Sequence, residues 1–250
     1  TCPISGPWSR ARPWAEPAPC LSYIEVLEGR RGFMRFIFEQ IQTGGDRNFA
    51  YLIGDREAGE GVLVDPSYDP DAVVERSRVQ GLTVTHVINT HGHPDHVNGN
   101  DRALELTGAR LAAYKDAESD PEVSLEDGDE LKVGSLSLRF LYTPGHSFDH
   151  LVIYLPGQAV AITGDLLFVG KIGGTANDEL ALEEYESIQR VLRELPPETT
   201  IWPGHDYGCR PSSTIDLELQ TNPFILAGSP EEFLRLKRDW GEFKAGHGLM

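Results

Sequence analysis

The chain has 250 residues, of which 40% are hydrophobic and 24% are charged. These proportions are ordinary for a globular protein and exclude a disordered or collagen-like chain. The formal net charge of −17 means that the surface repels phosphate backbones on the whole, so we expect no nucleic-acid partner.

The N-terminal stretch and the cysteines bear on where the domain begins and where the protein is found. Five prolines lie among the first 20 residues, and no apolar core of a secretory signal is present. We expect an irregular tail over residues 1–33 and one domain over residues 34–250.

No apolar run approaches the ~20 residues needed to cross a membrane, so no membrane partner is expected. The three scattered cysteines favour a reducing compartment, and we expect a cytoplasmic protein.

Predicted strands and helices alternate through the first half of the chain. Asp69 is a predicted N-cap with Pro70 at the first helical position, and that helix would end at Gly81. A second helix, over residues 101–106, would end at Gly108, because glycine favours the conformation that follows a helix. The predicted strands of this half are residues 36–41, 48–53, 61–65 and 83–89.

The second half repeats this rhythm of strands and helices. Apolar side chains alternate through residues 135–142, as in a half-buried strand, and recur at helical spacing over residues 182–192. Ser229 and Glu232 form a capping-box pattern that opens a last helix, expected to run to about Trp240. Further strands are expected over residues 151–155, 159–163 and 201–202. Strands and helices mixed in both halves predict a layered α/β domain.

Three of the eight histidines fall in one hexapeptide, His91-Gly92-His93-Pro94-Asp95-His96. Imidazole and carboxylate groups are ligands that zinc and iron accept near neutral pH. Because alternate residues of extended chain point the same way, His91 and His93 can bind one ion. Asp95 and His96 follow the bend at Pro94 and can face a second ion. Four ligand-type side chains in six residues therefore predict a metal site rather than an ordinary polar loop.

Three further polar residues each follow a predicted strand and come directly after a glycine. They are His146, Asp165 and His205. A glycine at such a position lets the backbone approach a crowded site. Each of the three alone is more often a turn residue, but together with the hexapeptide they form one set of seven potential ligands.

The pattern His-x-His-x-Asp-His, followed by a separate His, Asp and His after strand ends, resembles the metallo-β-lactamase superfamily. The resemblance runs from about Met34 to the C-terminus. It implies an α/β fold, an αββα sandwich with the metal site at one edge of its two sheets. It also implies two divalent metal ions as cofactors, with zinc expected and iron or manganese as alternatives.

The resemblance assigns the seven residues to two ions. The ligands of the first ion would be His91, His93 and His146. The ligands of the second ion would be Asp95, His96 and His205. Asp165 would bridge the two ions, and Asp65, which ends a predicted strand, would be an acid that orients ligands. His86, His150 and His247 match nothing in the pattern and are expected to be structural or at the surface.

Within the superfamily, the chain resembles the glyoxalase II-like hydrolases, which act on S-acyl-glutathione thioesters. True zinc β-lactamases usually have Cys or Ser where this chain has Asp165. The resemblance implies that a small acyl-thiol substrate is bound by Lys171, Tyr207, Arg235 and Arg238. The thiol itself is left open, because Ile172 and Gly173 replace an aromatic residue that the family has after the lysine.

The implied reaction is hydrolysis by a metal-bound hydroxide. Two cations ~3.5–4 Å apart hold a shared water and lower its pKa from ~16 to nearer 7. The expected catalytic residues are Asp165, as the bridge, and Asp95, which can also steer the attacking oxygen. No strong general acid is needed, because the pKa of a thiol leaving group lies near ~8.5.

Three alternatives stand beside the hydrolase. A persulfide dioxygenase of the same superfamily would hold one iron on His91, His146 and Asp165. That group has Arg-Thr-Asp where this chain has Lys171-Ile172-Gly173, which favours the hydrolase. A lactonase of the superfamily is the second alternative, and a metal-stabilised binding module is the third. A structural zinc site needs only four ligands, so seven favour an enzyme.

Overall fold

Two six-stranded β-sheets face each other in the computed structural model, which describes residues 35–247. The tail predicted for residues 1–33 lies outside the described residues. In spatial order, the first sheet contains β1 (Phe36–Gly44), β2 (Asn48–Asp55), β3 (Glu60–Val64), β4 (Thr83–Ile88), β5 (Arg110–Tyr114) and β6 (Val123–Leu125). The second contains β14 (Ser213–Thr214), β13 (Thr200–Pro203), β10 (Val160–Gly164), β9 (Leu151–Leu155), β8 (Leu136–Tyr142) and β7 (Glu130–Val133). The strands β11 (Leu167–Phe168) and β12 (Lys171–Ile172) form a short ribbon.

Helices cover the outer face of each sheet. The helices α1 (Pro70–Val79) and α3 (Asn100–Thr107) pack on the first sheet. The helices α4 (Asp178–Glu194), α5 (Ile215–Thr221) and α6 (Pro230–Arg238) pack on the second. The remaining helices are α2 (Pro94–Val97), α7 (Trp240–His247) and one 3₁₀ turn (Pro156–Gln158). None of these described helices is both long enough and apolar enough to cross a membrane.

The strand β2 shows how the sequence produces these layers. It is buried along its whole length, and its side chains alternate between the two faces of the sheet. Tyr51 and Ile53 join the core between the sheets, whereas Ala50 and Leu52 pack beneath the helices. The aromatic ring of Trp202, from the second sheet, lies in the same central core. The layer order is helix, sheet, sheet, helix, which confirms the predicted αββα sandwich.

The predicted helix boundaries agree with the structure to within a few residues. The Asp69 side chain accepts a hydrogen bond from Ala72 N, and Gly108 has the left-handed φ of 65° that ends α3. The last predicted helix, expected to run to about Trp240, ends close to that residue. Asp239 leaves the helical conformation, with ψ near 13°, so α6 ends at Arg238 and α7 begins afterwards.

Candidate metal centre

The ends of several strands meet at one edge of the sandwich and carry the predicted ligands. His91 follows β4, His146 follows β8, Asp165 follows β10 and His205 follows β13. Backbone hydrogen bonds between loops fix these ends: Leu151 N donates to Thr90 O at 2.7 Å, and Gly204 N donates to Gly164 O at 2.8 Å. All seven residues singled out in the sequence are brought together here.

The first ligand group contains His91, His93 and His146, with potential ligand atoms within 4.8 Å of one another. The Nδ1 atom of His93 lies 3.0 Å from His91 Nε2 and 3.0 Å from His146 Nε2. Three ring nitrogens thus converge on one small space. Such convergence is what a cation with nitrogen ligands requires.

The second ligand group contains Asp95, His96 and His205. The Nε2 atoms of the two imidazoles are 3.3 Å apart. The Oδ2 atom of Asp95 lies 3.4 Å from His205 Nε2 and 3.7 Å from His96 Nε2. Asp95 and His96 both lie on α2, which begins at Pro94; the sequence predicted the bend at this proline but not the helix.

Asp165 lies between the two groups and contacts both. Its Oδ2 atom is 3.2 Å from His205 Nε2 and 3.6 Å from His146 Nε2, and its Oδ1 atom is 3.5 Å from His96 Nε2. Asp165 Oδ1 is buried without a hydrogen-bond partner in the described part of the chain. A buried carboxylate oxygen is costly to leave unpaired, so a cation between the groups fits this position.

Neighbouring acceptors orient the imidazoles so that their inner nitrogens face the centre. His205 Nδ1 donates to Asp46 O at 2.9 Å, and His146 Nδ1 donates to Gly174 O at 2.7 Å. His96 Nδ1 donates to the Asp65 carboxylate at 3.0 Å. Because each outer nitrogen carries the proton, the lone pair of each Nε2 is left for a metal, an arrangement usual at metal sites.

Asp65 has the orienting role expected from the sequence. It is buried at the end of β3 with a left-handed φ of 47°, which is rare for a residue other than glycine. Its two oxygens accept hydrogen bonds from Thr90 N and Thr90 Oγ1 at 2.9 and 2.6 Å, in addition to the bond from His96. This carboxylate therefore ties the hexapeptide loop to the second ligand group.

His150, expected to be structural or at the surface, is structural and supports the bridging position. It is fully buried, and its Nε2 atom accepts a hydrogen bond from Asp165 N at 3.2 Å. Its Nδ1 atom lies 2.8 Å from Thr143 Oγ1. Burial lowers the pKa of His150 to about 3, so the ring is neutral and can serve as an acceptor.

Glycine at position 204 is required by the close packing of the ligands. A methyl group there would lie 2.3 Å from Asp165 Oδ1 and 2.9 Å from the His96 ring. No side chain tolerates such approaches, so the prediction that glycine admits the backbone to a crowded site is confirmed at this position.

Burial and the carboxylates act in opposite directions on the charges of the centre. Burial lowers the pKa of His91 well below its ordinary value, and the neighbouring His96 adds to this effect. Burial acts in the same direction on His205, but Asp165 and Asp95 outweigh it and raise the pKa of His205 to about 9. Although burial acts to raise it, hydrogen bonds from the imidazoles hold the pKa of Asp165 well below its usual range. The carboxylates are therefore ionised and ready to pair with cations.

Lys171 and Tyr207 meet beside the second ligand group. The Tyr207 ring is stacked on the His205 ring with centroids 4.6 Å apart, and Lys171 Nζ lies 4.0 Å from the Tyr207 centroid. Arg47 approaches the same ring at 5.0 Å, and Asp46 accepts the Tyr207 hydroxyl hydrogen bond at 2.6 Å. Sequence reasoning missed Asp46 and Arg47, because nothing local marks a residue of the turn after β1 as a neighbour of the site.

Arg235 and Arg238 lie on α6 and are not brought to this group. Arg238 forms an exposed ion pair with Asp178 at the start of α4. Arg235 lines a surface groove together with Leu226 and Phe243. Over residues 35–247, no described hydrogen bond, ion pair or ring contact joins either arginine to Lys171. Their part in substrate binding stays a prediction.

Comparison with known proteins agrees with this geometry. The sequence profile of the Metallo-beta-lactamase superfamily matches residues 43–119 and 113–205. A hydroxyacylglutathione hydrolase from a Polaromonas species is 37% identical over 177 residues, covering 68% of this chain and 67% of that protein. The human mitochondrial persulfide dioxygenase ETHE1 is 32% identical over 209 residues, covering 81% of this chain and 79% of that protein. The crystal structure of ETHE1 from Myxococcus xanthus has a TM-score of 0.76 and 35% identity, covering 82% of this chain and 91% of that one.

The matched profile contains the whole ligand set, from His91 to His205. The αββα layers and the strand-end position of the ligands agree with the same family. The chain belongs to the metallo-β-lactamase superfamily.

Proposed function

We propose that the protein is a dinuclear metal-dependent hydrolase that cleaves S-acyl thioesters, as glyoxalase II-like hydrolases do. The observation that carries the proposal is that two groups of three ligand-type side chains lie side by side, with Asp165 close to a member of each. One ion would need only one of these groups, so the second group supports two ions. Similarity to a hydroxyacylglutathione hydrolase supports the substrate class.

Two divalent ions held by the seven residues would supply Lewis-acid chemistry, by lowering the pKa of water toward ~7 and by polarising the substrate carbonyl. Zinc fits a donor set of imidazoles and carboxylates, and iron and manganese accept the same groups. The orphaned Asp165 Oδ1 and the inward-facing ring nitrogens support this fit.

Asp95 is the residue best placed to steer the attacking oxygen. Its side chain is 34% exposed, in contrast to the buried imidazoles around it, so it can reach solvent. Asn48 Nδ2 donates hydrogen bonds to Asp95 Oδ2 at 3.1 Å and to Asp95 O at 3.0 Å, which fixes the carboxylate. We assign Asp95 the role of accepting a hydrogen bond from water and directing its lone pair at the thioester carbonyl.

Lys171 and Tyr207 are assigned to the thiol part of the substrate. The lysine ammonium lies over the tyrosine ring, next to a second cation, Arg47. These positive charges suit a carboxylate on the thiol, and the binding contact would be made equally in the ground state and the transition state. A thiolate leaves without proton donation, so no further acid is required.

A persulfide dioxygenase is the second candidate, and one observation favours it. The match to human ETHE1 covers 81% of this chain, against 68% for the Polaromonas hydrolase. That chemistry would use His91, His146 and Asp165 for one iron and leave the second ligand group without a metal. The hydrolase remains our proposal because it gives that group a role.

Paired assays distinguish the two candidates. Protein loaded separately with zinc and with iron would be tested for hydrolysis of S-lactoyl-glutathione and for oxygen uptake with glutathione persulfide. We expect thioester hydrolysis without oxygen uptake, and we expect Asp165→Asn to abolish it as a control for contaminating enzymes. Oxygen uptake by the iron form, with no hydrolysis by either form, would reject the proposal.

A further inference from the structure

A buried ion pair lies behind the first ligand group and joins α4 to α6. Glu184 on α4 is fully buried, and its Oε2 atom contacts Nζ of Lys237 on α6, whose side chain is 12% exposed. Burial raises the pKa of Glu184 and lowers the pKa of Lys237, and the contact between the two groups opposes both shifts. Neither residue has a place in the predicted ligand or substrate sets.

Two hydrogen bonds, made to the carbonyls of successive residues, link Lys237 to the metal centre. Its Nζ atom donates a hydrogen bond to Gly173 O at 3.1 Å. The carbonyl of the next residue, Gly174, accepts the hydrogen bond from His146 Nδ1 at 2.7 Å. Two successive carbonyls of one loop therefore hold the lysine on one side and the imidazole of a proposed ligand on the other.

The loop is closely packed at Gly173, whereas a methyl group on Gly174 would meet no atom within 4 Å. A methyl group on Gly173 would lie 2.1 Å from Asp165 O, 2.7 Å from His146 Nδ1 and 3.0 Å from Glu184 Oε1. These distances mean that the buried carboxylate, the loop and the imidazole are packed against one another. Gly173 therefore lies at a packed point between the ion pair and the imidazole ring.

The helix α4 also holds the chain on the other side of His146. Ser187, one turn after Glu184, donates a hydrogen bond from Oγ to Pro144 O at 2.7 Å. The segment that carries the imidazole is thus fixed by α4 directly. The segment that orients the imidazole is fixed by α6, through Lys237.

Joining two helices does not by itself explain a buried ion pair. The free-energy cost of removing two charges from water offsets much of their mutual attraction. Apolar side chains would join the helices at least as well. The same helices are already joined by the exposed Arg238–Asp178 ion pair and by the rings of Tyr185 and Phe233, 5.1 Å apart. Among the described contacts between α4 and α6, Lys237 is distinguished by its hydrogen bond to the loop at Gly173.

We infer that Lys237, held by Glu184, is a positioning residue that fixes the Gly173–Gly174 loop and, through it, the ring of His146. The inference rests on the proposed metal centre, because ring orientation matters when His146 is a ligand. Groups that orient a ligand histidine through its outer nitrogen commonly change metal affinity by roughly 10–100-fold. Lys237 acts one step further away, so we expect about tenfold.

The test is zinc affinity of the metal-stripped full chain, measured by competition with a chromophoric chelator. Lys237→Met should bind zinc about tenfold more weakly than the wild type. Lys237→Arg, which keeps the charge and can donate to the loop, should recover most of that loss. Arg238→Met is the matched control, since it removes the neighbouring, exposed ion pair of the same helices, and its zinc affinity should equal that of the wild type. Equal losses in the Lys237→Met and Arg238→Met variants would overturn the inference.

A double variant covers the case in which Lys237→Met does not fold. Glu184→Gln combined with Lys237→Met removes the unpaired buried charge, so the chain should fold while zinc affinity stays about tenfold low. Wild-type affinity in this variant would overturn the inference. Thioester hydrolysis is not part of the measurement. A wild-type protein that binds zinc but cleaves no thioester would defeat the proposed function and leave this test intact.

Discussion

The metal centre and the thiol-side group of Lys171 and Tyr207 are built in different ways. Four of the seven ligands are buried and the other three are half-buried, and neighbouring acceptors fix the outer nitrogens of His96, His146 and His205. The thiol-side group is partly exposed, and its contacts are mostly stacked rings and cations rather than hydrogen bonds to the backbone. The difference teaches that the fold holds the proposed ligands tightly and the proposed substrate contacts loosely.

This contrast has a physical origin in where the residues lie along the chain. Four of the ligands follow strand ends, whose positions are set by the hydrogen bonding of two sheets, and the other three lie on α2 or at its N-cap. Lys171 follows the turn of a two-stranded ribbon, and Arg47 lies in the turn after β1. Loops and turns change more readily than strand ends, so related proteins can keep one reaction and differ in the thiol they accept.

The largest effect is expected at the point shared by both ligand groups. Asp165→Asn keeps the shape of the side chain but removes the charge that faces both groups. We expect loss of bound metal and a fall in turnover of roughly a thousandfold or more, because several kcal/mol of transition-state stabilisation would be lost at ~1.4 kcal/mol per tenfold. Metal analysis and thioester assays on the same sample measure this. Normal metal content with a normal rate would show that the two groups are not coupled through Asp165.

A smaller effect is expected at Asp65, which contacts the ligand His96 and is not itself a proposed ligand. Asp65→Asn weakens the hydrogen bond that orients His96, while leaving every proposed ligand in place. Zinc affinity should fall by roughly 10–100-fold. Turnover at saturating zinc should fall much less. An unchanged affinity would show that the hydrogen bond from His96 Nδ1 to Asp65 does not affect how His96 Nε2 binds zinc.

A moderate effect, on substrate binding alone, is expected at Lys171. Lys171→Gln should raise KM for an S-acyl thiol that carries carboxylates by about tenfold with little change in kcat, since the contact is made equally in both states. A lower kcat with unchanged KM would place this lysine in the chemical step instead.

The pH dependence of KM gives the same residue a second test. Burial lowers the pKa of Lys171 below its ordinary 10.5, and Lys244 and Arg47 lower it further. The ammonium is charged below this lowered pKa and neutral above it. KM for an acidic thiol should therefore rise as pH rises through that value, at a lower pH than for an ordinary lysine. The Lys171→Gln variant should not show this rise.

The smallest effect is expected at Arg238, which the resemblance assigned to substrate binding. Its guanidinium is paired with Asp178 at the surface. Arg238→Gln should therefore change KM by less than about twofold, as is common for exposed ion pairs. A tenfold rise in KM, as large as that for Lys171→Gln, would show that α6 closes over the substrate and would remove the contrast drawn here.

The layers and the ligand set could be predicted because both depend on local patterns. Alternating or continuous apolar runs marked most of the long strands, and the hexapeptide concentrated four ligand types in six residues. The strand β5 was missed because its Leu111-Ala112-Ala113 run is short and alanine has low strand propensity. The parallel partners β4 and β6 supply the hydrogen bonds that make it a strand.

The supporting contacts of the site could not be predicted, because they join distant parts of the chain. Lys237 and Glu184 are 53 residues apart, and His205 and Asp46 are 159 residues apart. A charged residue in a helical pattern is normally expected at the surface, so the buried pair gives no sequence signal. Backbone carbonyls such as Gly174 O have no side-chain identity to recognise at all.

The number of zinc ions bound per chain tests the central claim most directly. Zinc titrated into the metal-stripped wild type should bind at two sites, and the double variant His96→Ala with His205→Ala should bind at one, because the second ligand group would be lost. A wild type that binds one ion, with the same stoichiometry in the double variant, would contradict the dinuclear account and favour a single-metal enzyme.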